Sequence, residues 1–228
     1  ELGLSEDGTG IYHVCEPVKV GVSFIEHARH ESKLLDIDIT PNRGDCLSVY
    51  GIARDLAATM NLEVPSYPDV NDILLNEQHL VEVKTDAVLS YHAMTLTVDP
   101  SSRAPIYMIN RLRQAGMGSN HPVVDILNYI MLEIGQPMHG FDQNVIQAPL
   151  VVQQKADQEF KLLDDSVYTS LEHDIVISDD NGTHALAGVM GGYESRMREE
   201  STHVQLESAV FKPSVIAKTL RKCRLSSE

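Results

Sequence analysis

The sequence contains no tryptophan, and only three of its 228 residues are cysteines. These three, Cys15, Cys46 and Cys223, are widely separated and form no Cys-x-x-Cys pair. An odd, scattered set argues against a disulfide framework and against a structural zinc site. The sequence therefore predicts reduced thiols, no metal site and a cytoplasmic location.

Long apolar runs are also missing, since no stretch of about 20 hydrophobic residues occurs that could cross a membrane. The first residues are polar and acidic, which does not fit a secretory signal peptide. Hydrophobic residues still make up 43% of the chain and charged residues 22%, which is ordinary for a folded domain. The length suits one large domain, or a medium domain with a smaller companion.

Basic residues are scarce relative to acidic ones. The chain has 18 Lys and Arg against 33 Asp and Glu, and its formal net charge is −15 at pH 7. Proteins that bind nucleic acid by themselves usually present a basic field, because phosphate contacts dominate their affinity. Two explanations stay open: either RNA is not a ligand, or another polypeptide supplies the phosphate contacts.

Residues 34–61 have the pattern of a strand, a turn and a helix. Apolar and acidic residues alternate over 35–39, which predicts a half-buried strand. The Pro, Asn, Gly and Asp of residues 40–45 predict a turn, and Asp45 is the candidate N-cap of the next helix. Apolar residues at helical spacing predict that helix over 49–60.

The rest of the chain has the pattern of an α+β unit. Two amphipathic helices are predicted over 105–116 and 122–135, each with proline at its first position and glycine at its end. A further helix is predicted from Pro213, and Asn181-Gly182 predicts a tight hairpin. Strands are predicted at residues 150–153, 167–171, 175–178, 184–190 and 203–207.

Several motifs resemble the β-subunit of bacterial phenylalanyl-tRNA synthetases. The most specific are DITPNRGDCLS at 38–48, VVDILNY at 123–129 and GQPMHGFD at 135–142. Shorter stretches that follow that family's order and spacing lie at residues 162–164, 186–192 and 206–211. The resemblance covers essentially the whole chain.

What the resemblance implies is an internal segment of a longer subunit. Residues 1–22 would be the exit of an inserted B2 domain with an oligonucleotide-binding fold, and residues 23–68 the remainder of the small B1 domain that it interrupts. A linker would occupy 69–75. Residues 76–228 would form a B3/B4 domain of the α+β class, with helices packed on mixed and antiparallel sheets.

The B3/B4 domain of that family is implied to hydrolyse Tyr-tRNA(Phe), the mischarged product, without a metal. The resemblance also implies partners and cofactors: an α-subunit in an α2β2 heterotetramer, tRNA(Phe), mischarged tyrosine, and ATP with Mg²⁺ for aminoacylation on the α-subunit. No cofactor is expected in this segment, which lacks a Gly-x-x-x-x-Gly-Lys phosphate loop.

Carried over residue by residue, the resemblance assigns the editing pocket to His139, Gly191, Glu207 and Ser227. Glu207 is expected to accept a hydrogen bond from the substrate's phenol, and Gly191 to let the backbone approach the aromatic ring. His139 is expected near the ester, where it would position water or the terminal ribose, so His139 and Glu207 are the candidate catalytic residues. Ser227 stands where the family commonly has threonine.

Plainer interpretations remain open at these positions. From the residues alone, His139 is a loop histidine. Glu207 at a strand end is either a solvated carboxylate or, because its neighbours Leu206 and Val210 are apolar, a partly buried functional one. Arg43 is expected to pair with a carboxylate in its turn rather than to touch RNA. The alternative function is a structural or RNA-docking module without chemistry of its own.

The last predicted helix is locally basic within an acidic chain. Its cations would complement the negative end of the helix, or contact RNA, and the sequence leaves both open. These candidate RNA contacts are Lys218, Arg221, Lys222 and Arg224.

Overall fold

The computed structural model describes residues 17–24, 26, 34–64, 66, 80–99, 101–118 and 121–223. This part of the chain contains four α-helices: α1 (Val49–Met60), α2 (Ile106–Gln114), α3 (Pro122–Ile134) and α4 (Pro213–Cys223). Its strands are β1 (Val81–Val83), β2 (Val88–Thr97), β3 (Met138–Asp142), β4 (Leu150–Gln154), β5 (Glu159–Lys161), β6 (Val167–Thr169), β7 (Ile175–Asp179), β8 (Gly182–Leu186), β9 (Met190–Gly191) and β10 (His203–Phe211). No described helix has both the length and the apolarity that a membrane crossing requires.

The strands form two main sheets and one small one. The larger sheet has the order β1-β4-β7-β8-β9, in which β1 and β4 are parallel and the other pairs are antiparallel. The second sheet, β2-β10-β3, is antiparallel throughout, and β5 pairs with β6 separately. The predicted α+β class with mixed and antiparallel sheets is confirmed.

Both faces of the three-stranded sheet carry residues that pack in a hydrophobic core. Val204 and Gly140 belong to one face, which packs on Leu127 of helix α3. Phe141 belongs to the opposite face and joins the core of the larger sheet with Ile177. The domain is therefore layered as helix, small sheet and large sheet, and the inward face of β2-β10-β3 looks onto the other sheet.

Helix α3 begins and ends where the sequence predicts. His121 is its N-cap and accepts a hydrogen bond from the Val123 amide through Nδ1, at 3.2 Å. Pro122 is the first helical residue, and Gly135 ends the helix in the left-handed region with φ of +82°. In α2 the prediction is off by one residue, because Pro105 is the N-cap and Ile106 the first helical residue.

The N-cap predicted for α1 is wrong. Ser48 caps this helix, since its Oγ accepts a hydrogen bond from the Gly51 amide at 2.9 Å. Asp45 lies in a short 3-10 helix (Gly44–Cys46), and its carboxylate pairs with Arg43 at 3.0 Å. Arg43 also contacts Asp55 of α1 at 2.6 Å, so its predicted pairing with a carboxylate is confirmed.

The strand predicted over 35–39 does not form. These residues have no regular secondary structure, and Leu35 is 77% exposed. Alternation of apolar and polar residues stabilises a strand only where a neighbour completes the hydrogen-bond ladder, and no described strand pairs with this segment.

Two predicted strands are too long, while the hairpin between others is correct. The strand expected over 184–190 is divided into β8 and β9, because Gly188 adopts φ of +68° in the turn between them. The strand expected over 167–171 ends at Thr169. The β7–β8 hairpin does form here, but its turn residues are Asp180 and Asn181, and Gly182 is the first residue of β8.

Helix α4 starts at Pro213, as predicted, and is held by a buried carboxylate. Thr219 donates a hydrogen bond from Oγ1 to Asp174 at 2.6 Å. The same carboxylate accepts from the Tyr168 hydroxyl at 2.7 Å and from the Leu171 amide at 2.8 Å. Asp174 thus ties α4 to the loop before β7.

Candidate ligand site between the two sheets

His139 and Glu207 lie directly opposite each other in the three-stranded sheet. Glu207 of β10 pairs with His139 of β3 on one side and with Ala93 of β2 on the other. All three belong to the inward face, because they lie two residues along the strands from the pair of Phe141 and Gln205. Directly opposed residues have Cβ atoms about 5 Å apart, so the side chains of His139 and Glu207 leave the sheet side by side.

Gly191 brings the other sheet to the same place. It lies on the edge strand β9, and a Cβ atom on it would stand 2.7 Å from Nε2 of the His139 ring. Leu163 borders the approach, since its amide donates to the Gly191 carbonyl at 3.1 Å. The structure therefore brings His139, Gly191 and Glu207 together, and only an unsubstituted residue at 191 leaves this ring position open.

The Glu207 carboxyl is buried rather than solvated. Its residue is 7% exposed, and burial raises the pKa of the carboxyl to about 7. The ionised and protonated forms are therefore both populated near neutral pH. The plain interpretation of Glu207 as a solvated carboxylate is wrong.

His139 is a strand residue, so its interpretation as a loop histidine is also wrong. Its ring meets the Phe141 ring edge-on, with centroids 4.6 Å apart. Burial lowers the pKa of the His139 imidazole to about 4. Its Nε2 is buried and makes no hydrogen bond within the described part of the chain. At neutral pH His139 is an uncharged hydrogen-bonding group.

Two polar residues of this face were missed by the sequence reasoning. Gln205 is 1% exposed and its Oε1 has no hydrogen-bond partner among the described residues. The hydroxyl of Tyr91 on β2 is also buried and has no hydrogen-bond partner among the described residues. The alternation along β10 could have placed Gln205 beside Glu207, but β2 was not predicted, so Tyr91 carried no signal.

The remaining predicted residues are spread more widely. Lys222 donates to the Thr169 carbonyl at 2.9 Å and covers the Tyr168 ring, so it has a structural contact. Lys218 and Arg221 are exposed, and their contact with RNA stays a prediction. Ser227 and Arg224 lie outside the described residues, as do residues 1–16 and the predicted linker 69–75.

Glu207→Gln is expected to flatten the pH dependence of stability. The folded pKa of about 7 lies above the ordinary 4.5, so rising pH ionises Glu207 first in the unfolded chain. The free energy of unfolding should therefore fall between pH 4.5 and 7 by about 3 kcal/mol, a loss that the glutamine variant avoids. Urea unfolding of both proteins at pH 4.5, 6 and 8 measures the difference.

His139 has the opposite effect, because its lowered pKa costs stability as the pH falls from 6.5 towards 4. Both proteins retain His139, so subtracting the two pH profiles isolates Glu207. Parallel profiles for the two proteins would contradict a raised pKa at Glu207.

The sequence is similar to a known domain family and to proteins that contain it. A family model described as the B3/4 domain matches residues 90–228. The chain is 39% identical over 226 residues to the "Phenylalanine--tRNA ligase beta subunit" of Coxiella burnetii, covering 97% of this chain and 28% of that protein. It is 40% identical over 238 residues to the protein of the same name from Streptomyces avermitilis, covering 100% and 28%.

The chain thus spans under a third of the length of these relatives. Among solved structures, it is similar to an N-terminal fragment of the phenylalanyl-tRNA synthetase β-subunit from Pyrococcus horikoshii. That similarity has a TM-score of 0.45 at 15% identity and covers 79% of this chain and 58% of that one.

Proposed function

The chain belongs to the B3/4-domain family, in the form found in bacterial phenylalanine–tRNA ligase β-subunits, and from this premise we propose that it hydrolyses mischarged Tyr-tRNA(Phe). The observation that supports the proposal is the convergence of His139, Gly191 and Glu207 between the two sheets. Residues that face each other across a sheet sandwich can act on one substrate.

The need for such a site follows from the two amino acids. Tyrosine differs from phenylalanine by one hydroxyl, and an apolar pocket rejects an added hydroxyl only by about 100-fold. A second site that pairs with the hydroxyl discriminates better, because phenylalanine would leave a buried polar group without a partner.

Glu207 supplies that partner in our proposal. Its ionised carboxylate accepts a hydrogen bond from the phenol, and its protonated form can donate one, so both forms present near pH 7 recognise a hydroxyl. Bound phenylalanine satisfies neither form, at a cost of about 1–3 kcal/mol.

His139 acts as a neutral group in the proposed reaction. Water attacks the carbonyl carbon of the aminoacyl ester, the bond to the ribose oxygen breaks, and tyrosine and uncharged tRNA(Phe) leave. The unpaired Nε2 of His139 would hydrogen-bond the attacking water or the terminal ribose.

In this proposal, aminoacylation and most of the tRNA binding belong to other parts of the enzyme. ATP and Mg²⁺ would serve aminoacylation on a partner α-subunit of an α2β2 enzyme in the cytoplasm. Within the described residues no group of three or more His, Cys, Asp or Glu side chains could hold a metal ion. Because this chain carries a net charge of −15, other regions of the enzyme would supply most of the phosphate contacts that bind tRNA(Phe).

Glu207→Ala and His139→Ala are each expected to slow hydrolysis of Tyr-tRNA(Phe) by the complete synthetase about tenfold or more, because each removes a buried polar contact to the substrate. Charging of phenylalanine should be unchanged. The measurement is the release of labelled tyrosine from preformed Tyr-tRNA(Phe).

Glu172→Ala is the matched control, because Glu172 is an exposed carboxylate of the same domain. If both site variants hydrolyse Tyr-tRNA(Phe) at the wild-type rate, the editing assignment fails. The chain would then be better explained as a structural or RNA-docking module.

A further inference from the structure

Resting on this proposed function, we propose that Tyr91 is a second residue that recognises the substrate's phenol. In this arrangement the phenol donates its hydrogen to Glu207 and accepts a hydrogen bond from the Tyr91 hydroxyl. Tyr91 is then a determinant of the discrimination between tyrosine and phenylalanine.

The register of the sheet places Tyr91 next to Glu207. Tyr91 of β2 pairs with Ala209 of β10, and the adjacent pair on the same face is Ala93 with Glu207. Tyr91 and Glu207 are therefore diagonal neighbours, a separation of about 7–8 Å that aromatic side chains can bridge. The residues on the other diagonal, Ala93 and Ala209, have short side chains, so neither of them separates Tyr91 from Glu207.

The Tyr91 hydroxyl has no partner among the residues that the structure describes. It is buried and makes no hydrogen bond to any described residue, while its ring packs against the hydrophobic core that contains Phe141. A buried hydroxyl without a partner destabilises a fold, and a phenylalanine would fill the same space without that cost. A ligand that pairs with the hydroxyl accounts for a tyrosine at this position.

The hydrogen-bonding capacities are complementary. A phenol offers one donor and can also accept, and Glu207 in its ionised form can only accept. The acceptor side of the phenol therefore needs a donor. Burial, together with the negative charge of Glu207, raises the pKa of Tyr91, so Tyr91 keeps its hydrogen at neutral pH and supplies that donor.

Gln205 does not compete for this role. It lies on the other side of Glu207 along β10, and its unpaired atom is the acceptor Oε1. The single hydrogen of the phenol is already given to Glu207, so another acceptor adds no contact to the ionised site.

Tyr91→Phe in the complete synthetase tests the inference. The substrates are the same tRNA(Phe) charged with tyrosine or with phenylalanine, so that contacts to RNA cancel in the comparison. We expect kcat/KM for Tyr-tRNA(Phe) to fall about tenfold, because the hydrogen bond to the substrate's phenol is lost. We expect kcat/KM for Phe-tRNA(Phe) to rise, because bound phenylalanine no longer leaves a buried Tyr91 hydroxyl without a partner.

Tyr129→Phe is the matched control. Tyr129 lies on α3, the helix that packs on the opposite face of the same sheet, and its hydroxyl contacts Arg111 of α2. This variant also loses one phenol hydroxyl, but both deacylation rates should stay at the wild-type values. Urea unfolding checks that Tyr91→Phe is folded, and its stability should not fall.

Two outcomes would overturn the role of Tyr91 alone. If Tyr91→Phe leaves both rates unchanged, its hydroxyl does not contact the substrate. If it lowers both rates equally, Tyr91 has a packing role only. Failure of the proposed function differs from both, because the wild-type enzyme would then be inactive on Tyr-tRNA(Phe) or insensitive to Glu207→Ala.

Discussion

Gly191→Ala is expected to lower the rate of Tyr-tRNA(Phe) hydrolysis roughly 100-fold, since a displacement of about 1 Å at a reacting site has an effect of this size. The added Cβ would stand 2.7 Å from Nε2 of His139 and 3.1 Å from Cδ1 of Leu163. The His139 ring must move, which separates it from its place opposite Glu207. The measurement is single-turnover deacylation by the complete synthetase.

The same substitution should have little effect on stability. The atoms that the new methyl meets are the ends of side chains rather than backbone, so they can move at a cost of about 1 kcal/mol in urea unfolding. Gly140→Ala is the control, because a Cβ there lies at ordinary contact distances of 3.5–3.6 Å on the opposite face of β3. Wild-type hydrolysis by Gly191→Ala would show that the substrate does not use the space beside His139.

Asp174→Ala is expected to lower the free energy of unfolding by about 3 kcal/mol, because it leaves buried hydrogen-bond donors without an acceptor. Thr219 and Tyr168 point their hydroxyls at this fully buried carboxylate, from 2.6 Å and 2.7 Å. Burial alone would raise the pKa of Asp174, but the donors, Thr219 first, hold it below the ordinary value. The carboxylate therefore stabilises the fold above its ordinary pKa, and this contribution is lost as the pH falls.

Asp164→Ala provides the comparison for this experiment. Asp164 is an exposed carboxylate that accepts hydrogen bonds from the Ser166 amide at 3.0 Å and from its hydroxyl. Its loss should cost less than about 1 kcal/mol. Equal changes in urea unfolding for both variants would contradict a special role for Asp174 in anchoring α4.

Local chemistry explains the elements that the sequence predicted correctly. Helix α3 begins at Pro122 because proline suits the first helical position, and it ends at Gly135 because glycine adopts the left-handed conformation. The Asn181-Gly182 signal located the β7–β8 hairpin for a similar reason, although the loop residues are Asp180 and Asn181, one position earlier in the chain. These signals need no knowledge of the rest of the chain.

Pairing between distant segments explains what the sequence could not predict. The segment 35–39 has the alternation of a strand but no described partner, whereas β3 contains Gly140 and follows Pro137, so it read as a loop. Its strand form depends on β10, more than 60 positions later along the chain. The family motifs identified His139 and Glu207, but only the register shows that they are opposed.

The site's origin in two sheets has a consequence for how the protein folds. Glu207 belongs to the three-stranded sheet and Gly191 to the edge of the five-stranded one, so the inward face is enclosed only after the two sheets have docked. Contacts between segments far apart in sequence are slow to form. A folding intermediate with separate sheets would titrate Glu207 near the ordinary 4.5, and the docked protein near 7. At pH 6 His139 releases a proton in the same step, because burial lowers its pKa to about 4. The excess proton uptake of the wild-type protein over Glu207→Gln during refolding at pH 6 therefore reports the time of sheet docking, and the proposed editing activity would be the last property that the domain acquires.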